Sequence, residues 1–130
     1  SCCPAWSVMA KKMFPQFKDY ISMALTPMVI TARMVKKEYP DARIVIMTPL
    51  QTSYDQNPSG NTGKPLIDYV DAIMEVAAHY SLPVLDLYRT AGICPRIEEH
   101  IPRYMPDGLH PNDAGHVILT NKIAQFIKNL

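Results

Sequence analysis

The chain has 130 residues, 48% of them hydrophobic and 19% charged, and 13 Lys+Arg against 12 Asp+Glu leave a net charge of +1. A chain of that length buries roughly two-thirds of its unfolded-state surface, enough for one core, and the balanced charge gives no electrostatic reason to expect nucleic acid or an anionic membrane surface as a partner. No apolar run approaches the roughly 20 residues that span a bilayer. Pro4, Lys11, Lys12, Pro15 and Lys18 break the start of the chain too often for a signal peptide, so a soluble protein of unassigned compartment is expected.

The N-terminal stretch is hard to assign: Ala5 to Met13 suits a short helix and Pro15 interrupts it. Thr26-Pro27 then reads as a helix start, because threonine caps and proline is tolerated at the first helical position. Met28, Ala32 and Val35 recur at helical spacing up to Glu38, and Pro40 forbids continuation, which predicts a helix over 27–38. Residues 43–48 form a β-branched run without polar alternation, the pattern of a strand buried on both faces. Residues 49–64 are a polar, turn-rich connection of a length that is disproportionately functional. Its Gly60-Asn61-Thr62-Gly63-Lys64 fragment fails as a phosphate loop, since Pro58 stands where the first glycine belongs and Pro65 where the hydroxyl residue belongs.

Pro65 opens a second helix with Leu66, Val70, Ile73, Met74 and Ala77 on one face. Residues 82–87 read as a second buried strand and 88–106 as irregular. A last helix is predicted over about 112–128, with Asn112 as cap and Leu119, Ile123, Phe126, Ile127 and Leu130 as its apolar stripe. Strands alternating with helices predict an α/β fold with a parallel sheet. Two strands are few for such a sheet. The strand near 43–48 is therefore expected to pair with a second copy of the chain or with an N-terminal part.

The three cysteines, Cys2, Cys3 and Cys94, cannot all pair within one chain and lack metal-ligand spacing, so no disulfide framework, metal or cofactor is expected. The densest candidate for chemistry is Asp107-Gly108-Leu109-His110-Pro111-Asn112-Asp113-Ala114-Gly115-His116. An aspartate three residues before a histidine, on a glycine-containing turn, can accept the imidazole N–H and fix which nitrogen stays free as a base. The alternative is that both residues merely bond local backbone. His116 is expected to be a solvated helix residue. His79 and His100 show no partner pattern; Asp86 ends a strand on the side where ligands bind in open α/β sheets but is expected to bond the next loop, and Arg89, Arg96 and Arg103 are read as surface arginines, the alternative being a pocket for an anionic or sugar substrate.

The run DGLHPNDAGH ahead of a C-terminal helix resembles the last sequence block of the SGNH, or GDSL, hydrolases, and residues 43–49 and 82–88 look like that family's fourth and fifth strand regions. The resemblance covers roughly residues 25–130. It implies the C-terminal portion of a three-layer α/β/α, flavodoxin-like fold, with His110 as general base and Asp107 as its orienter in a serine esterase. The implied partner is a small acyl or acetyl ester of a carbohydrate or lipid.

The family's Gly-Asp-Ser nucleophile block and its glycine and asparagine oxyanion blocks are absent. None of Ser1, Ser7, Ser22, Ser53, Ser59 and Ser81 follows Gly-Asp. Without a nucleophile there is no acyl-enzyme, and each missing oxyanion donor forgoes roughly 3 to 4 kcal/mol. The chain alone is therefore expected to be inactive, its serine lying upstream. The alternative is a non-catalytic α/β module that keeps the turn as structure and acts by binding or assembly.

Overall fold

The computed structural model describes Lys12, residues 19–60 and residues 62–130; the helix expected over Ala5 to Met13 lies outside the described residues, Lys12 apart. The elements in chain order are α1 (Asp19–Glu38), β1 (Ile46–Met47), α2 (Leu66–His79), β2 (Val84–Leu85), α3 (Leu87–Thr90), α4 (His100–Tyr104) and α5 (Asp113–Lys128). β1 and β2 pair in parallel, Ile46 opposite Val84 and Met47 opposite Leu85, with α2 as the connection. The fold is α/β with a small parallel sheet, as the alternation of periods predicts.

α1 starts before the expected Thr26-Pro27 boundary and runs through Pro27. A proline inside a helix costs about 3 kcal/mol through its lost N–H bond and its clash with the preceding turn. Leu25 and Val29 on either side of it are 6% and 1% exposed and pack with Ala72 and Val76 of α2. Fully burying two such side chains stabilises by about 3 to 6 kcal/mol, which offsets the proline. Thr31 adds a side-chain hydrogen bond to the Pro27 carbonyl at 2.8 Å. The helix ends in Lys36 and Lys37, cations that favour a C-terminus, and Pro40 follows.

The strands are shorter than the runs that suggested them. Only Ile46–Met47 and Val84–Leu85 are strand, and β1 is not buried on both faces, because Met47 is 50% exposed. Among the described residues β2 is the one strand that pairs with β1. Residues 88–106, expected to be irregular, contain part of α3 and all of α4. Asp86 starts α3 by accepting the Arg89 N–H at 3.3 Å.

A second cluster joins Leu85, Leu87, Ala91, Ile93, Met105 and Leu119, with Ile123 and Phe126 of α5 packed on it; Ile127 and Leu130 of the expected stripe are 58% and 40% exposed. Asn112 caps α5 as expected: its Oδ1 accepts from Gly115 N at 3.0 Å, and its Nδ2 donates to the Arg103 carbonyl at 2.9 Å. Asn112→Ala is expected to lower stability by about 1 kcal/mol, measured as the shift in urea midpoint at unchanged slope.

Candidate functional site

The turn from Met105 to His110 is built by short-range bonds. Gly108 N donates to the Met105 carbonyl at 2.8 Å, and Gly108 itself has φ +75°, a conformation that glycine adopts freely. Asp107 then uses both carboxylate oxygens. Oδ1 accepts the backbone N–H groups of Leu109 at 2.8 Å and of His110 at 2.7 Å, and Oδ2 meets His110 Nδ1 at 2.6 Å. The backbone N–H of His110, then its side chain, then the backbone N–H of Leu109 hold the Asp107 carboxyl well below the usual carboxylate range. An ionised Asp107 is an acceptor only, so Nδ1 of His110 carries the proton and the lone pair of the neutral ring lies on Nε2. The imidazole is 76% exposed. The Asp107–His110 pair expected from spacing is thus formed.

Residues 51–55, from the long connection, hold that turn from outside. Ser53 N donates to the Gly108 carbonyl at 2.8 Å, and the Tyr54 hydroxyl donates to the Asp107 carbonyl at 3.3 Å. The segment is anchored in turn by Asp55, whose side chain is 1% exposed. Its Oδ2 accepts Thr52 N at 3.0 Å and its Oδ1 meets Arg96 Nη2 at 2.7 Å. Arg96 also donates to Gln51 Oε1 at 2.7 Å and to the Tyr88 hydroxyl at 3.3 Å. Burial disfavours the Arg96 charge, but the Tyr88 bond and the Asp55 carboxylate outweigh it and raise the guanidinium's pKa. Arg96 is therefore a buried carboxylate's partner and not a plain surface arginine.

Sequence reasoning missed Ser53, Tyr54 and Asp55, and the Thr-x-x-Asp turn of Thr52 and Asp55 was the signal available for them. Between this segment, α2 and the Asp107 turn lies a cavity of about 640 Å3, with Leu50, Tyr54, Leu66, Tyr69 and Leu109 among its apolar walls and Lys64 among its polar ones.

The remaining candidates are dispersed. Asp86 accepts from Thr48 Oγ1 at 2.9 Å and pairs with Arg89 at 2.8 Å. Burial pushes its carboxyl up, but these partners outweigh burial and lower its pKa. Arg89 also pairs with Asp71, and Arg103 lies over the Tyr104 ring at 5.7 Å. His116 is an exposed α5 residue, as expected. His100 has a partner that its sequence context did not suggest: its Nδ1 accepts Cys94 N at 3.1 Å.

An α/β protein with a small parallel sheet is the class these features define, and two solved structures share it. One crystal structure matches at 33% identity and TM-score 0.65, over 78% of this chain and 50% of its own; a crystal structure from Lactobacillus plantarum matches at 29% identity and TM-score 0.65, over 75% and 49%. The chain thus spans about half the length of the solved structures it matches. Residues 1–82 match the family described as iron only hydrogenase large subunit, C-terminal domain, and the chain belongs to that family. No curated protein matches it.

That match corrects the SGNH/GDSL expectation, and with it the esterase activity, the acyl or acetyl ester partner and the pairing of strand 43–48 with a serine-bearing N-terminal part. The physical reason is that one Asp–His pair on a glycine turn is a local motif, closed here by three contacts within four residues, which a fold of any function can carry. Among the described residues, Asp107 is the partner of the His110 ring, and no nucleophile is bonded to it.

The family's description names iron, and the donor set tests the fit. Among the described residues no group of three or more His, Cys, Asp or Glu could hold a metal. The whole sequence has three cysteines, fewer than the four thiolates that hold a common iron–sulfur cluster. The residues of this chain do not by themselves fit such a cluster. Among the described residues no helix is long and apolar enough to cross a membrane.

Proposed function

We propose that the described α/β part handles a proton for a ligand bound beside it, with His110 as general base and Asp107 as the residue that orients it. The observation that carries this reading is the 2.6 Å contact of Asp107 Oδ2 with His110 Nδ1 on a ring that is otherwise open to approach. A base must present a lone pair toward its reactant and keep its ring still. Asp107 supports both: its charge stabilises the imidazolium that forms when Nε2 takes a proton, and its bonds to two backbone N–H groups fix its own position. Tyr54 and Ser53 hold the turn against the cavity wall. The reading concerns residues beyond the family match, which ends at residue 82, and it routes no step through iron.

Nitrogen-15 NMR of the full chain tests the reading. Neutral His110 is expected as the Nδ1–H tautomer, and Asp107→Ala should turn it into a mixture and slow its modification by diethyl pyrocarbonate relative to His116. A wild-type ring protonated on Nε2 overturns the assignment. The acid limit follows from the sign of the Asp107 shift. A depressed carboxyl is charged throughout the range in which ordinary carboxylates protonate, so the lock should persist on acidification past pH 4 and fail only as pH falls through that lowered pKa. The Asp107 carboxyl carbon shift, followed from pH 6 downward, reads this directly.

A further inference from the structure

We infer that the cavity between residues 49–59, α2 and Leu109 binds a small organic carboxylate with an apolar body, its carboxylate on Lys64. The inference rests on the proton-handling reading only in placing the ligand beside the Asp107 turn, and it names the class of molecule that reading leaves open. A volume of about 640 Å3 lies within the range of sites for small molecules. Leu50, Leu66 and Leu109 with the rings of Tyr54 and Tyr69 give the walls apolar surface for a hydrocarbon or aryl group, and Thr52, Asn57 and Ser59 add neutral polar groups.

The charges on the wall set the sign of the polar end. Two charged residues line the cavity, Asp55 and Lys64. Asp55 is committed at 2.7 Å to Arg96. Lys64 has a nearest carboxylate, Asp68, at 4.0 Å, too long for a hydrogen bond, and Asp68 is not part of the wall. The Lys64 side chain is 31% exposed, so its ammonium keeps donors to offer a ligand and is screened only in part. An incoming carboxylate gains a charge-assisted bond there. An amine meets repulsion, and an alcohol gains a weaker bond.

The test is an NMR titration of the full 130-residue chain with octanoate, octanol and octylammonium, read at the amides of Tyr54, Leu66, Tyr69 and Leu109. Octanoate is expected to bind tightest and to weaken as salt is raised. Lys64→Gln should raise its dissociation constant about five-fold, the effect of one partly exposed ion pair, and raise that of octanol by less, since only the carboxylate loses a countercharge. Equal binding of octanoate and octanol to the wild-type chain overturns the carboxylate assignment, and this comparison needs no variant to fold. Octanoate shifts confined to residues away from the four reporters overturn the site. Loss of the Nδ1–H tautomer with octanoate binding intact overturns the proton-handling reading alone.

Discussion

Arg96→Met is expected to lower the stability of the chain by about 3 to 4 kcal/mol, because it strands a carboxylate that is 1% exposed. Asp55 keeps its Thr52 N–H bond in that variant but loses its countercharge, and a carboxylate this little exposed gains little hydration in return. Asp55→Ala removes the same ion pair from the other side at a smaller cost, about 1 to 3 kcal/mol. The difference is exposure: the Arg96 side chain is 38% exposed, keeps Gln51 and Tyr88 as acceptors, and can be hydrated when Asp55 is gone. The order of the two costs is thus the diagnostic result, and the double variant should cost less than their sum since both act on one contact. Urea denaturation measures all three. An Asp55→Ala cost equal to or above that of Arg96→Met would show that the arginine, and not the aspartate, is the group burial penalises. Because Asp55 also anchors the segment carrying Ser53 and Tyr54, Arg96→Met should loosen the His110 turn some distance from the substitution.

The parts of the fold that were legible in the sequence are those whose signals are local. Pro65, whose ring fixes φ near the helical value, and Asn112, whose side chain caps, mark the starts of α2 and α5 because both effects act within a turn, and both helices run where periodicity places them. The start of α1 was not legible. Thr26-Pro27 has the composition of a helix start, and the packing of Leu25 and Val29 on α2, more than 40 residues away, carries the helix through it. β1 was overextended for a related reason: β-branched composition favours strand along all of 43–48, but strand pairing requires a neighbour, and β2 supplies one for two residues. At the site, the Asp107–His110 spacing was readable because three residues separate the partners. The Ser53 and Tyr54 clamps were not, since each crosses more than fifty residues and leaves no periodic trace. The family is not legible in residues 107–116, where the densest motif lies: the family match covers residues 1–82, whose start offers only a cysteine pair and a broken apolar pattern.

Gly108→Ala is expected to cost about 2 to 3 kcal/mol and to unlock His110 without touching either partner of the pair. Two effects combine. The φ of +75° is a conformation that alanine adopts only under strain, which accounts for about 1 kcal/mol or somewhat more. The added Cβ would also lie 2.8 Å from Ser53 Cβ and closer still to Ser53 Oγ, so the 51–55 segment must move. Moving it breaks the Ser53 N–H bond to the Gly108 carbonyl and draws the Tyr54 hydroxyl away from Asp107. The two contributions separate experimentally. In a Ser53→Gly background the steric part of the cost should vanish and the backbone part remain, so Gly108→Ala there should cost about 1 kcal/mol. Amide hydrogen exchange at residue 53 should accelerate in Gly108→Ala and stay near the wild-type rate in Asn112→Ala, whose lost cap acts on α5 instead. A full cost that survives in the Ser53→Gly background would assign it to backbone strain alone and remove the clamp from the account of how His110 is held.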